Sequence, residues 1–189
     1  MARLVLLERD GVLIEDRPDF VRNPGELTLL PRAAASLRRF NEAGLKVAVV
    51  TNQPAVGRGI IDEAMLARIH EHLLARLARE GARLDLLLHA PEAPWVPGPR
   101  RKPGSGMLHE AMRRFGIASY DCVMIGDSLT DLEAAKAADV ARILVRCGKG
   151  QATQAAGIPR ELMPLRIADD LWQAADFVLG TDAGNAGAG

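Results

Sequence analysis

The sequence lacks several features that would indicate a membrane protein, a redox protein or a protein with a structural zinc site. Its 189 residues include only two cysteines, Cys122 and Cys147, too few for a zinc site built from four thiolates. Cys122 lies in an apolar run, so we interpret it as a small buried hydrophobic residue. No apolar stretch approaches the ~18 residues that a membrane span requires. We therefore expect neither a membrane span nor a redox function.

An excess of one charge is also absent. Lysine plus arginine and aspartate plus glutamate each number 24, so the formal net charge is zero. A nucleic-acid partner therefore has no electrostatic support, and an acidic ligand must be bound by local basic groups. Charges at Arg3, Glu8 and Arg9 interrupt the amino-terminal apolar run, so no signal-peptide pattern is present. We expect a cytoplasmic protein that acts on a small molecule, with no nucleic-acid or membrane partner; the sequence does not fix its oligomeric state, although a monomer is favoured.

The sequence does contain an alternation of apolar runs and amphipathic helical patterns. Apolar runs predict buried strands over residues 3–7, 46–50, 84–88, 122–125 and 141–145. Helical spacing predicts helices over residues 31–44, 62–81, 107–116 and 129–138, with Pro31 in a first turn and Asp62 as an N-cap. Continuously apolar strands that alternate with helices are typical of a parallel sheet covered on both faces. The predicted fold class is α/β, a doubly wound and mostly parallel sheet of Rossmann-like type.

The same pattern predicts one domain over residues 1–179. The span 12–30 is too short for a separate cap domain and can form only a flap. Residues 90–106 contain five prolines and three glycines, and we interpret them as an ordered or semi-ordered loop. The Gly/Ala-rich residues 180–189 are expected to form a disordered tail.

Polar side chains that can do chemistry follow each of the first four predicted strands. Ligands of doubly wound sheets bind at the carboxyl ends of the strands, so these side chains should share one edge. They are Glu8 and Asp10 after the first strand, Thr51 and Asn52 after the second, Arg101 and Lys102 beyond the third, and Asp127, Ser128 and Asp131 after the fourth.

This set of groups is typical of phosphoryl transfer. Several carboxylates share a small volume only when a cation lies between them, and oxygen ligands favour Mg²⁺. A lysine supplies a point charge for a phosphate oxygen. A threonine hydroxyl and backbone N–H groups at a helix start can complete a phosphate cradle. Metal, lysine and hydroxyl around one tetrahedral anion describe a phosphoryl-transfer site.

Taken singly, each of these residues has an ordinary structural interpretation. Asp10 before a glycine is commonly a turn, Thr51 can cap a strand end, and Lys102 beside a proline is usually solvated. Asp127 and Asp131 can be helix N-terminal charges that match the dipole. Four strand-end placements in one chain, however, favour a shared functional site.

Four motifs, ERDGVL, VTNQ, RRKP and GDSLTD, occur in the order that resembles the haloacid dehalogenase superfamily of phosphatases. The resemblance spans roughly residues 3–150. It is strongest to the branch that contains heptose bisphosphate and histidinol-phosphate phosphatases. It implies magnesium-dependent hydrolysis of a phosphate monoester on a small metabolite, with a sugar bisphosphate as the favoured substrate.

The resemblance also implies roles for individual residues. The first-motif carboxylate, here Glu8, attacks phosphorus, and Asp10 protonates the leaving alcohol and then activates water. The implied catalytic residues are Glu8, Asp10, Thr51 and Lys102; the implied metal site is Glu8, Asp10, Asp127 and Asp131; and the candidate substrate-binding residues are Asn52, Gln53, Arg58, Arg101 and Ser128.

One departure from the family pattern concerns the nucleophile, which is Glu8 where the family has aspartate. The extra methylene places its oxygen about 1.5 Å further along an extended rotamer. A glutamyl-phosphate is chemically reasonable, so the concern is geometry. An alternative is a catalytically impaired relative that binds a phosphorylated ligand or a partner protein.

A second departure concerns zinc, which the branch commonly holds in a Cys/His loop before the third motif. Here that loop reads HAPEAPWVPGPRRKP and offers only His89, so no zinc is expected. Trp95 in the loop either packs on the domain or lines a substrate pocket. His70, His72 and His109 fall within predicted helices, where a solvated or core-edge position is favoured.

Overall fold

Strands and helices alternate along the chain, as the sequence pattern predicts. The computed structural model describes residues 2–96 and 98–181, and these form six strands and seven α-helices. The strands are β1 (Leu4–Leu7), β2 (Lys46–Asn52), β3 (Leu86–Ala90), β4 (Cys122–Gly126), β5 (Ala141–Val145) and β6 (Arg166–Ala168). The helices are α1 (Ala33–Glu42), α2 (Pro54–Gly57), α3 (Glu63–Arg79), α4 (Gly106–Phe115), α5 (Leu129–Ala137), α6 (Gly150–Ala155) and α7 (Leu171–Leu179).

The strands form one sheet in the order β3-β2-β1-β4-β5-β6, and each neighbouring pair is parallel. This confirms the predicted doubly wound α/β class. The chain turns back between β1 and β4, where it moves from one half of the sheet to the other. Ligands of such sheets bind beyond the carboxyl ends of the strands at this reversal.

The apolar run in β1 is explained by burial on both faces of the sheet. Val5 and Leu7 pack into a core with side chains of α1, α3 and α7. Leu4 and Leu6 point the other way, into a core with side chains of α4 and α5. All four residues of β1 are fully buried, so the strand holds the polar residues that follow it at a fixed place.

The described connections leave no room for a cap domain. Between β1 and α1 the only helical segment that the structure describes is the short 3₁₀ turn Pro24–Glu26. The described residues of the segment 91–105 form turns without a helix or strand. Of the helices within the described ranges, none is long and apolar enough to cross a bilayer.

Three of the element boundaries that differ from the prediction have a local cause in the structure. β3 begins two residues later than expected because the side chain of Asp85 accepts a hydrogen bond from the Val47 amide (3.0 Å). β2 continues to Asn52, since its last two residues pair with His89 and Ala90. Helix α1 begins at Ala33, after a left-handed residue at position 32 (φ 60°), so the preceding proline lies outside its first turn.

The predicted tail begins where α7 ends. Gly180 closes that helix in the left-handed conformation (φ 69°), and the Thr181 hydroxyl lies 3.0 Å from the Arg39 guanidinium. The remaining tail residues, 182–189, lie outside the described residues. A single domain over residues 1–179 stays a prediction.

Candidate active site

The carboxylate of Glu8, in the first motif, contacts one residue of the second motif and one of the third. It follows β1 directly and is buried. Its Oε1 accepts a hydrogen bond from the Arg9 amide (2.9 Å) and another from the Thr51 hydroxyl at the end of β2. Its Oε2 forms an ion pair with the Lys102 ammonium. The side chain therefore lies among the donors that the sequence predicts for phosphate.

Lys102 reaches this point from the proline-rich loop although it stands far along the chain. Its side chain is 1% exposed, and Nζ lies 2.6 Å from Asp131 Oδ1 as well as against Glu8. Asn52 fixes the loop through two hydrogen bonds, from its Nδ2 to the Lys102 carbonyl (2.9 Å) and from the Lys102 amide to its Oδ1 (3.0 Å). Asn52, predicted to bind substrate, thus positions the lysine in this structure.

Asp131 is turned into the protein. Its Oδ2 accepts hydrogen bonds from the Ser128 hydroxyl (2.7 Å) and from the backbone amides of residues 127 and 128. This is a capping box at the start of α5, and the other carboxylate oxygen contacts Lys102. With both oxygens engaged, Asp131 supports the lysine and the turn after β4, although the sequence places it in the metal set.

Asp127 lies where the turns after β1, β4 and β5 meet. Its Oδ2 accepts a hydrogen bond from the Lys149 amide (2.8 Å). Gly11 and Gly148 have φ of +79° and +56°, and a Cβ on either would collide with the Asp127 carboxylate. Only glycine permits both this backbone conformation and this close approach.

Asp10 is held by a network that the sequence only partly predicts. The Arg9 guanidinium grips its carboxylate with two nitrogens, Nε (3.1 Å) and Nη2 (3.0 Å). Gln53 Nε2 donates to Asp10 Oδ2 (2.8 Å) and to the Thr51 hydroxyl (2.9 Å). Gln53, predicted to bind substrate, therefore orients two side chains that the sequence predicts to be catalytic. Arg9 was missed, although its place between two strand-end carboxylates was a usable signal.

Burial and mutual repulsion shift the ionisation of the cluster. Burial raises the pKa of Glu8 to about 7, with Lys102 opposing the rise and Asp131 adding to it. Burial and the Asp131 charge raise the pKa of Asp127 to about 7. Burial alone would lower the pKa of Lys102, but Asp131 and Glu8 outweigh it and raise that pKa. Burial thus disfavours the ionised forms of Glu8 and Asp127, and the neighbouring carboxylates add to that effect.

The donor set fits a hard divalent cation. Within the described ranges no group of three or more Asp, Glu, His or Cys side chains forms a complete metal cage. Mg²⁺ needs none, because it is usually held by one or two carboxylates together with water and a substrate phosphate. Glu8 and Asp127 can supply those carboxylates, and an added cation would stabilise their ionised forms.

A cavity of about 460 Å³ opens above the cluster. Thr51 and Lys102 do not line it but contact Glu8, which does, and Asp131 contacts Lys102. Its walls include eight residues predicted for the site, Glu8, Asp10, Asn52, Gln53, Arg58, Arg101, Asp127 and Ser128. They also include residues outside the predicted site, among them Arg9, Asp16, Arg17 and Phe20. A cavity of about 600 Å³ at the opposite edge of the sheet is lined by residues such as Cys122, Val140 and Phe177 and contains no catalytic motif.

Trp95 is not among the residues that line this cavity, so the structure places it in neither of the two predicted positions. Its side chain is 67% exposed, so it does not pack into the domain. The Arg58 guanidinium lies 5.3 Å from its ring centroid and 5.6 Å from that of Phe20. Trp95 therefore contacts a residue of the cavity wall. His89, the one candidate zinc ligand in this region, has its Nε2 3.1 Å from Glu63 Oε2.

A buried lysine, a threonine hydroxyl and paired carboxylates at the carboxyl ends of parallel strands define a hydrolase that acts by phosphoryl transfer. The HAD-hydrolase-like family model (Hydrolase_like) matches residues 99–174. The D-glycero-β-D-manno-heptose-1,7-bisphosphate 7-phosphatase of Pseudomonas aeruginosa is 35% identical over 176 residues, 93% of this chain and 97% of that protein. The enzyme of the same name from Bordetella bronchiseptica is 35% identical over 178 residues, 94% and 98% of the two chains.

A comparison with solved structures indicates the same family as these relatives. The crystal structure of D,D-heptose 1,7-bisphosphate phosphatase from B. bronchiseptica, complexed with magnesium and phosphate, superimposes with a TM-score of 0.89 at 34% identity. The match covers 95% of this chain and 99% of that one. The chain belongs to the heptose bisphosphate phosphatase family of the haloacid dehalogenase-like hydrolases.

Proposed function

We propose that this chain is a magnesium-dependent phosphatase that removes one phosphate from a sugar bisphosphate of the heptose class. The observation that carries the proposal is the contact of Thr51 and Lys102 with Glu8, which lines a cavity that also presents the guanidinium groups of Arg58 and Arg101. The names of the relatives support the same substrate class. The cytoplasmic location, the monomeric state and the absence of nucleic-acid and membrane partners stay predictions from the sequence.

The proposed reaction has two steps. In the first, a Glu8 oxygen attacks phosphorus, the bond from phosphorus to the sugar oxygen breaks, and Asp10 gives its proton to that oxygen. In the second, ionised Asp10 takes a proton from water as the water attacks phosphorus. The glutamyl–phosphate bond then breaks and inorganic phosphate is released. Lys102 and Thr51 hold the phosphoryl oxygens throughout.

Magnesium fits the same site. The carboxylates of Glu8 and Asp127 and the backbone carbonyl of Asp10 would hold it, with Asp131 supporting them through Lys102. Bound Mg²⁺ would neutralise charge on the phosphoryl oxygens. The raised pKa values of Glu8 and Asp127 support this assignment, because burial disfavours their ionised forms and a bound cation would offset that cost.

Two arginines are suited to a second phosphate. Arg58 lies between two aromatic rings, and within the described part of the chain its guanidinium has no carboxylate partner. Arg101 lines the same cavity, and its Nη1 donates to the Glu92 carbonyl (2.9 Å). Burial lowers the pKa of Arg101, and the charge of Arg58 lowers it further against the effect of Glu92. Two guanidinium groups that repel each other at one cavity favour an anion there.

The test measures phosphate release from D-glycero-D-manno-heptose 1,7-bisphosphate and from a sugar monophosphate, with Mg²⁺ and with chelator. We expect release only with Mg²⁺ and a higher kcat/KM for the bisphosphate. Arg58→Gln should lower the ratio of kcat/KM for the bisphosphate to kcat/KM for the monophosphate about tenfold or more, because an arginine–phosphate contact is worth roughly 1.5–3 kcal/mol. Arg79→Gln, at the exposed end of α3, is the matched control. Equal use of both sugars by the parent chain would contradict the bisphosphate assignment.

A second candidate function is favoured by Glu8 itself. Its carboxylate already contacts Thr51, Lys102 and the Arg9 amide, the donors that a phosphoryl group needs. A catalytically impaired relative that binds a phosphorylated ligand without hydrolysing it would have this arrangement. Measured ligand binding without phosphate release would support it.

We also propose that the chain binds no structural zinc. His89 contacts Glu63 and a histidine ring of α3 at 5.6 Å, and the loop that follows offers no cysteine. Elemental analysis of protein purified without chelator should find far less than one zinc per chain. A stoichiometric zinc content would show this proposal to be wrong.

A further inference from the structure

A buried histidine outside the catalytic motifs contacts the network that holds Asp10. His70 lies in α3, is 8% exposed, and has its Nε2 3.0 Å from Arg9 Nη1. The two residues are 61 positions apart in the sequence. The helical pattern predicts only a solvated or core-edge position for this histidine, so the contact is a finding of the structure.

The guanidinium of Arg9 is almost completely buried, at 1% exposed. A buried guanidinium must have partners for its N–H groups, because an unsatisfied charged donor is costly. Two of its nitrogens bind Asp10, and Nη2 also donates to Gln53 Oε1 (2.8 Å). The remaining nitrogen, Nη1, faces His70. Asp10 and Gln53 belong to the site, whereas His70 belongs to a helix that packs against the sheet.

The chemistry of the contact defines the form of the imidazole. A guanidinium only donates hydrogen bonds, so Nε2 of His70 must accept and the ring must be neutral, with its proton on Nδ1. Burial, together with the charges of Arg9 and His89, lowers the pKa of His70 to about 3, which agrees with a neutral ring.

We propose that His70 is a positioning residue for Asp10 that acts through Arg9. The imidazole holds Nη1, which fixes the plane of the guanidinium. The orientation of that plane sets the direction of the two nitrogens that donate hydrogen bonds to the Asp10 carboxylate. The inference rests on the proposed function for one point only, that Asp10 protonates the leaving group.

The kinetic test compares a sugar bisphosphate with p-nitrophenyl phosphate in His70→Leu and His70→Gln. A sugar alkoxide needs a proton to leave, whereas p-nitrophenolate does not. We expect His70→Leu to lower kcat/KM for the sugar about tenfold or more, the lower part of the range for general-acid catalysis, and for p-nitrophenyl phosphate far less. His70→Gln keeps an acceptor and should restore most of the loss. His72→Leu, on the same helix, is the matched control for loss of an imidazole.

A second measurement does not depend on turnover. The Nε–H signal of Arg9 in a ¹⁵N NMR spectrum, assigned by its loss in Arg9→Lys, should exchange slowly with solvent in the parent and in His70→Gln. In His70→Leu its exchange should accelerate about tenfold or more, as its hydrogen bond to Asp10 opens. Unchanged exchange in His70→Leu, or an equal loss of kcat/KM with both substrates, would overturn the inference. If the parent chain hydrolyses neither substrate, the proposed function fails, and the exchange rates alone decide the role of His70.

Discussion

Replacing Lys102 with alanine is expected to lower turnover about a hundredfold or more, the scale measured when one preorganised donor to a transition-state oxyanion is removed. Binding of phosphate or of a vanadate mimic should weaken more than about tenfold, because a charge-assisted contact in a buried site is worth roughly 1.5–3 kcal/mol. The ammonium lies 2.6 Å from Asp131 and against Glu8. No other lysine in the described ranges reaches these carboxylates.

The same substitution should reduce the stability of the fold. Removing one partner of a buried ion pair costs about 3–5 kcal/mol, because the other charge stays buried without compensation. The free energy of unfolding can be measured by urea denaturation beside the binding titration. Lys136→Ala, at an exposed position of α5, is the control for loss of a lysine. A folded Lys102→Ala protein that binds phosphate as tightly as the parent would remove Lys102 from the site.

The strand-end residues could be predicted from sequence because their position after a buried strand is enough to place them at the edge of the sheet where ligands bind. Once β1 and β4 are recognised as buried parallel strands, the residues after Leu7 and Gly126 must meet at one edge of the sheet. The direction of each side chain depends on distances between distant segments. Asp131 faces Lys102 instead of the cavity, a fact that no local pattern contains.

The carboxyl-terminal elements show a different limit. β6 has three residues, two of them partly or fully exposed, so it has no apolar run to detect. The sequence of helix α7 does contain signals for a helix start and a helix end, although the predicted helices above do not include it. Asp170 accepts a hydrogen bond from the Gln173 amide at its start, and Gly180 closes it. These are the ordinary N-cap and left-handed C-terminal glycine of a helix.

Arg9 and His70 could not have been paired from the sequence. Each has a bland local interpretation, a charged residue in a turn and a histidine in an amphipathic helix. Their contact arises because α3 packs into the same core as Val5 and Leu7, which brings the imidazole to the buried guanidinium. Hydrogen-bond partners for a buried arginine are visible only once the packing of the sheet is known.

Glu8→Asp is expected to raise kcat about tenfold or more, the scale seen when a misplaced nucleophile is brought into line with phosphorus and the leaving oxygen. The present carboxylate reaches Thr51, Lys102 and the Arg9 amide, so it occupies the donors that should hold the phosphoryl group. Removing one methylene withdraws the oxygens by about 1.5 Å and leaves those donors to the substrate. The charge is kept, so metal binding should be preserved.

The gain should appear in kcat more than in KM, because the change acts on the geometry of attack. Steady-state kinetics with Mg²⁺ on the heptose bisphosphate measures both constants. Glu8→Gln is the matched control, since it keeps the length of the side chain and removes the nucleophilic carboxylate, and it should be inactive. A slower Glu8→Asp enzyme would show that Glu8 is a working nucleophile in a site built for its length. If the parent and Glu8→Asp were both inert on every sugar phosphate but bound them, the second candidate function, binding without hydrolysis, would replace the first.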